Sequence, residues 1–62
     1  MCLSTLYNKT QDAEHELLKN IQSFRIAGGQ MFFIDLLNRE YEFEGELISA
    51  DLVNGSVIID IE

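Results

Sequence analysis

The chain is short of several residue types, and each shortage excludes something. Its 62 residues include one cysteine, one histidine, no proline and no tryptophan, with four basic side chains against eleven acids. A lone cysteine, Cys2, closes no disulfide within the chain. It also falls short of the three or four side-chain ligands of a typical protein metal site. With His15 the sole histidine, a cysteine nucleophile has little from which to draw its base and orienting group. The four bases, Lys9, Lys19, Arg25 and Arg39, are scattered through a chain of net charge −7. Binding to nucleic acid takes most of its affinity from Lys and Arg neutralising phosphates, so DNA, RNA and anionic membrane surfaces are disfavoured, whereas cations are not. Gly28-Gly29 lacks the lysine and following helix of a phosphate-binding loop. No apolar run approaches the ~18 residues of a membrane span. The start has no basic region followed by an apolar stretch of signal-peptide length. An unpaired cysteine suits a reducing compartment, so a cytoplasmic location is expected.

What is present points to one small domain over residues 1–62. A domain of this size buries only ~60% of the surface its unfolded chain exposes. Its core rarely supplies more than ~3–5 kcal/mol, so disulfides, a metal or oligomerisation usually add support. Internal disulfides are excluded here, yet 47% of the residues are hydrophobic. That surplus favours a self-association surface.

Along the chain, "CLSTLY" (2–7) reads as a strand, with Cys2, Ser4 and Leu6 on one side, followed by the polar turn region "NKTQD". The segment 13–24 has two readings. Leu17, Leu18, Ile21 and Phe24 fit helical spacing and Asp12 could cap a helix, which slightly favours a helix. Alternatively "HELLKN" and "QSFRIA" are strands joined by a bend near Asn20. Further on, Gly28-Gly29 sits between two runs rich in aromatic and β-branched residues, a hairpin signal. "YEFEGEL" alternates, with Tyr41, Phe43 and Leu47 on one side and Glu40, Glu42, Glu44 and Glu46 on the other. Gly45 interrupts the apolar row and marks a bulge or bend. Ile48, Ala50 and Leu52 then take over the inward row. Asn54-Gly55 is the strongest short hairpin signal in the chain, and Val57, Ile59 and Ile61 follow on one face. Five or six short strands with tight turns form a small curled sheet or barrel, an all-β fold.

The segments "MCLSTLY", "LLKNIQSFRIAGGQMFFIDLL" and "YEFEGELISADLVNGSVIIDI" together resemble the CooT family of small nickel-binding proteins. Met1-Cys2 and "ADLVNGSVII" are the most specific parts of the likeness, and residues 8–16 are the least similar. The family often has glycine in the turn after the "DLL"-like strand where this chain has Asn38, a residue that tolerates positive φ better than most. The resemblance implies a compact β-barrel of SH3-like or Sm-like type with five to six strands, paired as a homodimer. It implies Ni(II) held at the dimer interface through the residue that is Cys2 here. It implies an accessory or metallochaperone role, with carbon monoxide dehydrogenase as the nickel-enzyme client. An older family label, predicted RNA-binding protein, rests on fold analogy. The resemblance also favours strand plus bend over helix for 13–24.

Without the family, a lone Cys2 reads as an incidental small hydrophobe, a partner for something outside the chain, or half of a site completed by a second copy. Thiolate chemistry serves the last of these. Metals bind the thiolate, and a free cysteine has a pKa of about 8.5, so a borderline-soft cation must displace the proton and binding strengthens as pH rises. Main-chain nitrogens lie beside the sulfur. Without Met1, the Cys2 amine and thiolate form one five-membered chelate. With Met1, its amine and the Cys2 amide flank the sulfur, and the amide must lose a proton. Two chains then offer two sulfurs and two nitrogens. A square-planar set of this kind suits Ni(II) or Cu(II), whereas Zn(II) prefers a tetrahedron.

Other features read more simply. His15 among acids reads as a surface residue rather than a further ligand. The glutamate row at 40, 42, 44 and 46 resembles a cation site, but same-face residues on a strand stand ~6.8 Å apart, too far for compact chelation. Phe24, Phe32, Phe33, Tyr41 and Phe43 resemble a stacking platform for bases but lack basic companions, which favours core and interface packing. No catalytic residue is assigned, and the chain is not expected to be an enzyme. The competing functions are a Sm-like RNA-binding module and a protein-interaction module with no metal role.

Overall fold

The computed structural model describes residues 3–61. They form six strands: β1 (Ser4–Asn8), β2 (Glu16–Ala27), β3 (Gln30–Asp35), β4 (Glu40–Glu44), β5 (Glu46–Asp51) and β6 (Ser56–Asp60). These make one sheet in the order β4-β3-β2-β1-β6-β5. All pairings are antiparallel except β1 with β6, where Thr5–Asn8 run parallel to Ser56–Ile59. The first and last strands therefore lie side by side in the middle of the sheet. The all-β expectation is met, and the curled six-stranded sheet is of the small SH3-like or Sm-like kind. Its two edges, β4 and β5, are joined not by a ladder but by the chain itself at Gly45. The barrel is consequently open along that side.

The 13–24 segment resolves in favour of strand and bend, against the slight local preference for helix. Only Ala13–His15 form a single 3₁₀ turn, which Asp12 caps by accepting from the His15 N–H. The rest is β2, bent at Asn20, which takes a φ of +58°. Before the bend Glu16 and Leu18 pair with Tyr7 and Leu6; beyond it Ser23–Ala27 pair with β3. One strand thus serves two neighbours, and the apolar residues at helical spacing serve a bent strand instead. Pairing with the flanking strands overrides the helical periodicity here.

Gly28 and Gly29 both take positive φ (+57° and +81°), the backbone of a two-residue hairpin of the type whose twist matches the flanking strands. The core consists of Leu6, Ile21, Met31, Phe33, Val57 and Ile59, with Leu17, Leu18, Phe24, Phe43 and Ile61 packed against it. Phe33 is its centre: its ring lies 5.6 Å from Phe24 and 5.9 Å from Phe43.

Along the path from β4 to β5, Gly45 supplies the bend and the apolar row changes phase after Leu47, as the sequence indicates. Leu47 pairs with Ile59 and Ala50 with Val57, so a bulge between Leu47 and Ser49 keeps both facing the core side. The expected inward row of Ile48, Ala50 and Leu52 is nevertheless exposed, because little of the chain packs over β5 apart from its partner β6.

Candidate functional site

Cys2, the metal ligand expected from sequence, lies outside the described residues. Its neighbourhood along the chain is described from Leu3 onward. Leu3 is half-buried and Ser4 is buried, entering β1 between β2 and β6. The 52–55 turn packs against this entry. The Thr5 N–H donates to the Gly55 carbonyl at 2.9 Å, and a Cβ on Gly55 would stand 2.9 Å from the Leu3 carbonyl oxygen. Glycine is needed here twice over, for that approach and for its φ of +74°. Asp51 builds the turn: its carboxylate accepts from the Asn54 N–H at 3.1 Å and Nδ2 at 2.8 Å, and its carbonyl accepts from the Gly55 N–H. The Asn54 hydrogen bonds hold its carboxyl below the usual range. The Asn54-Gly55 signal therefore does more than turn the chain, since it presses the β5–β6 connection against the start of β1.

Beside that junction a groove of about 400 Å³ is lined by Ser4, Ile21, Gln22, Ser23, Phe24 and Leu52. None of the six is ionisable. It lies where the open side of the barrel leaves the end of β5 apart from the bend of β2.

His15 sits elsewhere. It precedes Glu16, which pairs with Tyr7, three residues beyond Ser4 along β1. At ~3.3 Å per residue that separates it from the Ser4 end by about 10 Å. Its Nδ1 lies 2.5 Å from an Asp12 carboxylate oxygen, and this hydrogen bond lowers the Asp12 carboxyl below its ordinary value. Among the described residues, no three His, Asp or Glu side chains gather to hold a metal ion.

The glutamate row is a solvated face. Glu40, Glu42, Glu44 and Glu46 are all exposed, and Glu40 lies 3.9 Å from Arg25. The expectation of core packing holds for three of the five aromatic residues of the candidate platform, and Phe32 differs in having a basic companion. Phe24, Phe33 and Phe43 pack in or against the core, while Phe32 lies under the Arg25 guanidinium at 4.1 Å.

The most organised polar centre had gone unnoticed in the sequence. Asp35, at 4% exposure, ends β3 and organises the following turn. Its carboxylate accepts from the main-chain N–H groups of Leu37 and Arg39, from Arg39 Nε at 2.8 Å and from the Tyr41 hydroxyl at 3.2 Å. Burial pushes this carboxyl up, but the bonds from Arg39, Leu37 and Tyr41 outweigh it and hold it below the ordinary value. The signal was available in "DLLNR", an acid heading a turn with Asn three residues on. Asn38 takes a φ of +64°, as its place at a glycine-favouring position requires, and its side-chain oxygen accepts from Gln22 Nε2 at 2.6 Å.

The CooT family, described as CO dehydrogenase accessory protein CooT, matches residues 1–60. The match spans almost the whole chain and includes Met1-Cys2, so the chain belongs to this family of CO dehydrogenase accessory proteins. No curated protein gives a significant match to the chain. Among the described residues, no helix is long and apolar enough to cross a membrane.

Proposed function

We propose that this protein is a homodimeric Ni(II)-binding accessory factor of the cytoplasm. In this reading Cys2 of two chains holds one ion at the dimer interface, and the protein serves maturation of a nickel enzyme, carbon monoxide dehydrogenase by family. The observation that carries the reading is the family match reaching Met1-Cys2 in a chain with no other cysteine. The donor chemistry supports it. One thiolate with its adjoining main-chain nitrogen is half of a four-coordinate set, and two chains complete it. Sulfur and nitrogen donors in a plane suit Ni(II), and the ion is cargo to be passed on rather than a resident cofactor. Cu(II) should bind more tightly still, so nickel selectivity rests on geometry and supply.

The role is non-catalytic in this reading. His15, the sole histidine, is hydrogen-bonded to Asp12 in the turn before β2, which supports that reading. The exposed glutamate row argues against the RNA-binding alternative.

The test is a nickel titration followed through the sulfur-to-nickel charge-transfer band. The wild type saturates at one ion per two chains, and Cys2→Ser gives no band. Equal nickel uptake by Cys2→Ser contradicts the proposal.

A further inference from the structure

The open side of the barrel carries an inference about where two copies meet, which rests on the dimeric reading above. Ala50 faces the core side of the sheet opposite Val57, yet it is exposed. Beyond it Leu52 is 60% exposed, Val53 89% and Ile48 53%. Leu52 forms one wall of the groove whose floor is Ile21 and Phe24. The groove is thus a stretch of apolar interior that the single chain leaves uncovered.

Three observations favour a second copy of this chain as its cover. The first is charge. Two copies of a protein of net charge −7 meet at a cost wherever acids face acids. The groove is assembled from the segments of the chain poorest in acids. Residues 3–11 and 17–34 contain none, and 47–59 contain only Asp51, whose carboxylate already bonds Asn54. The second is area. A specific dimer removes ~800 Å² per partner, about one-fifth of the 4141 Å² exposed here. A contact of that extent cannot be confined to one turn, and the groove is extended by Leu47–Ala50 of β5, an acid-free stretch between Glu46 and Asp51. The third is continuity: Ser4 lines the groove, so a copy seated there approaches the start of β1.

We infer that the homodimer seam runs along this groove, with Leu52 and Val53 of each copy packed against Ile21 and Phe24 of the other. A two-fold arrangement makes the exchange reciprocal. It also brings the two β1 entries to the same seam, so that a site completed by two chains forms where the chain itself is open.

The test is sedimentation of the metal-free protein at micromolar concentration. Wild type sediments as a dimer. Leu52→Asp places a charge in the seam twice and weakens association at least ~100-fold. Circular dichroism establishes that the resulting monomer is folded. Val53→Asp, at a side chain with almost no contacts of its own, does the same and serves if Leu52→Asp does not fold. Leu37→Asp, on an equally open leucine (68% exposed) of the β3–β4 turn, leaves the dimer intact. A monomeric wild type, dimers that persist in both Leu52→Asp and Val53→Asp, or a Leu37→Asp monomer overturns the seam. Nickel separates this failure from that of the metal reading. If persistent dimers still take up one ion per two chains, the metal reading stands and the seam fails. If the variants dissociate but wild type ignores nickel, the seam stands and the metal reading fails.

Discussion

Gly45 and Asp60 approach so closely that a Cβ on Gly45 would collide with the Asp60 carbonyl, backbone against backbone. The φ of +156° at Gly45 turns β4 into β5, and this bend lets one continuous stretch of chain serve as both edges of the sheet.

Gly45→Ala is therefore expected to destabilise by about 3 kcal/mol, since neither backbone can yield cheaply. A core of this size supplies only ~3–5 kcal/mol, so the variant keeps ~0–2 kcal/mol and is partly unfolded at 25 °C. Urea denaturation followed by circular dichroism measures this. An unchanged midpoint would show that the close approach relaxes at no cost.

Asp35 predicts an acid-sensitive fold. Its folded pKa lies below the ordinary 3.8, so its contribution is fully present above that value. The contribution is lost as pH falls through the folded pKa. Asp12 and Asp51 shift in the same direction. Thermal stability is expected to be level above about pH 5 and to fall steeply below about pH 4. Asp35→Asn keeps the shape but loses the charge, lowering Tm at pH 7 on the order of 10 °C and flattening the acid limb. A variant with the wild-type pH profile would remove Asp35 from this role.

Asn38 gives a graded comparison. Asn38→Gly retains the positive φ at ease and is expected to be within about 0.5 kcal/mol of wild type, losing only the Gln22 bond. Asn38→Ala meets the left-handed penalty and loses about 1–2 kcal/mol. Paired thermal melts decide this, and alanine equal to glycine would contradict the backbone explanation.

The turns were the most legible part of the sequence. Gly28-Gly29, Gly45 and Asn54-Gly55 each state a backbone requirement that few other residues meet, and each stands where a turn or bend occurs. The alternation of β4 was equally plain, because one face is wet and the other is not. Segment 13–24 was not decidable locally. Leu17, Leu18, Ile21 and Phe24 satisfy either period, and only pairing with the flanking strands β1 and β3 selects the strand. The parallel β1–β6 pair had no local signature at all. The exposure of Ile48 and Leu52 was hidden because alternation names a core-side row without saying whether anything covers it. Cys2, the proposed ligand, stands out in the sequence through its isolation and through the family likeness. The packing of the Gly55 turn against Leu3 and the four hydrogen bonds on Asp35 needed coordinates, since both depend on contacts between separate elements or on the path of a turn.

Native mass spectrometry of the nickel-loaded protein tests the central claim most directly, because it reads chain count and metal count in one species. The account predicts a two-chain ion carrying one nickel, with Cys2→Ser giving two chains and no metal. Nickel bound one per single chain, or retained undiminished by Cys2→Ser, would contradict it.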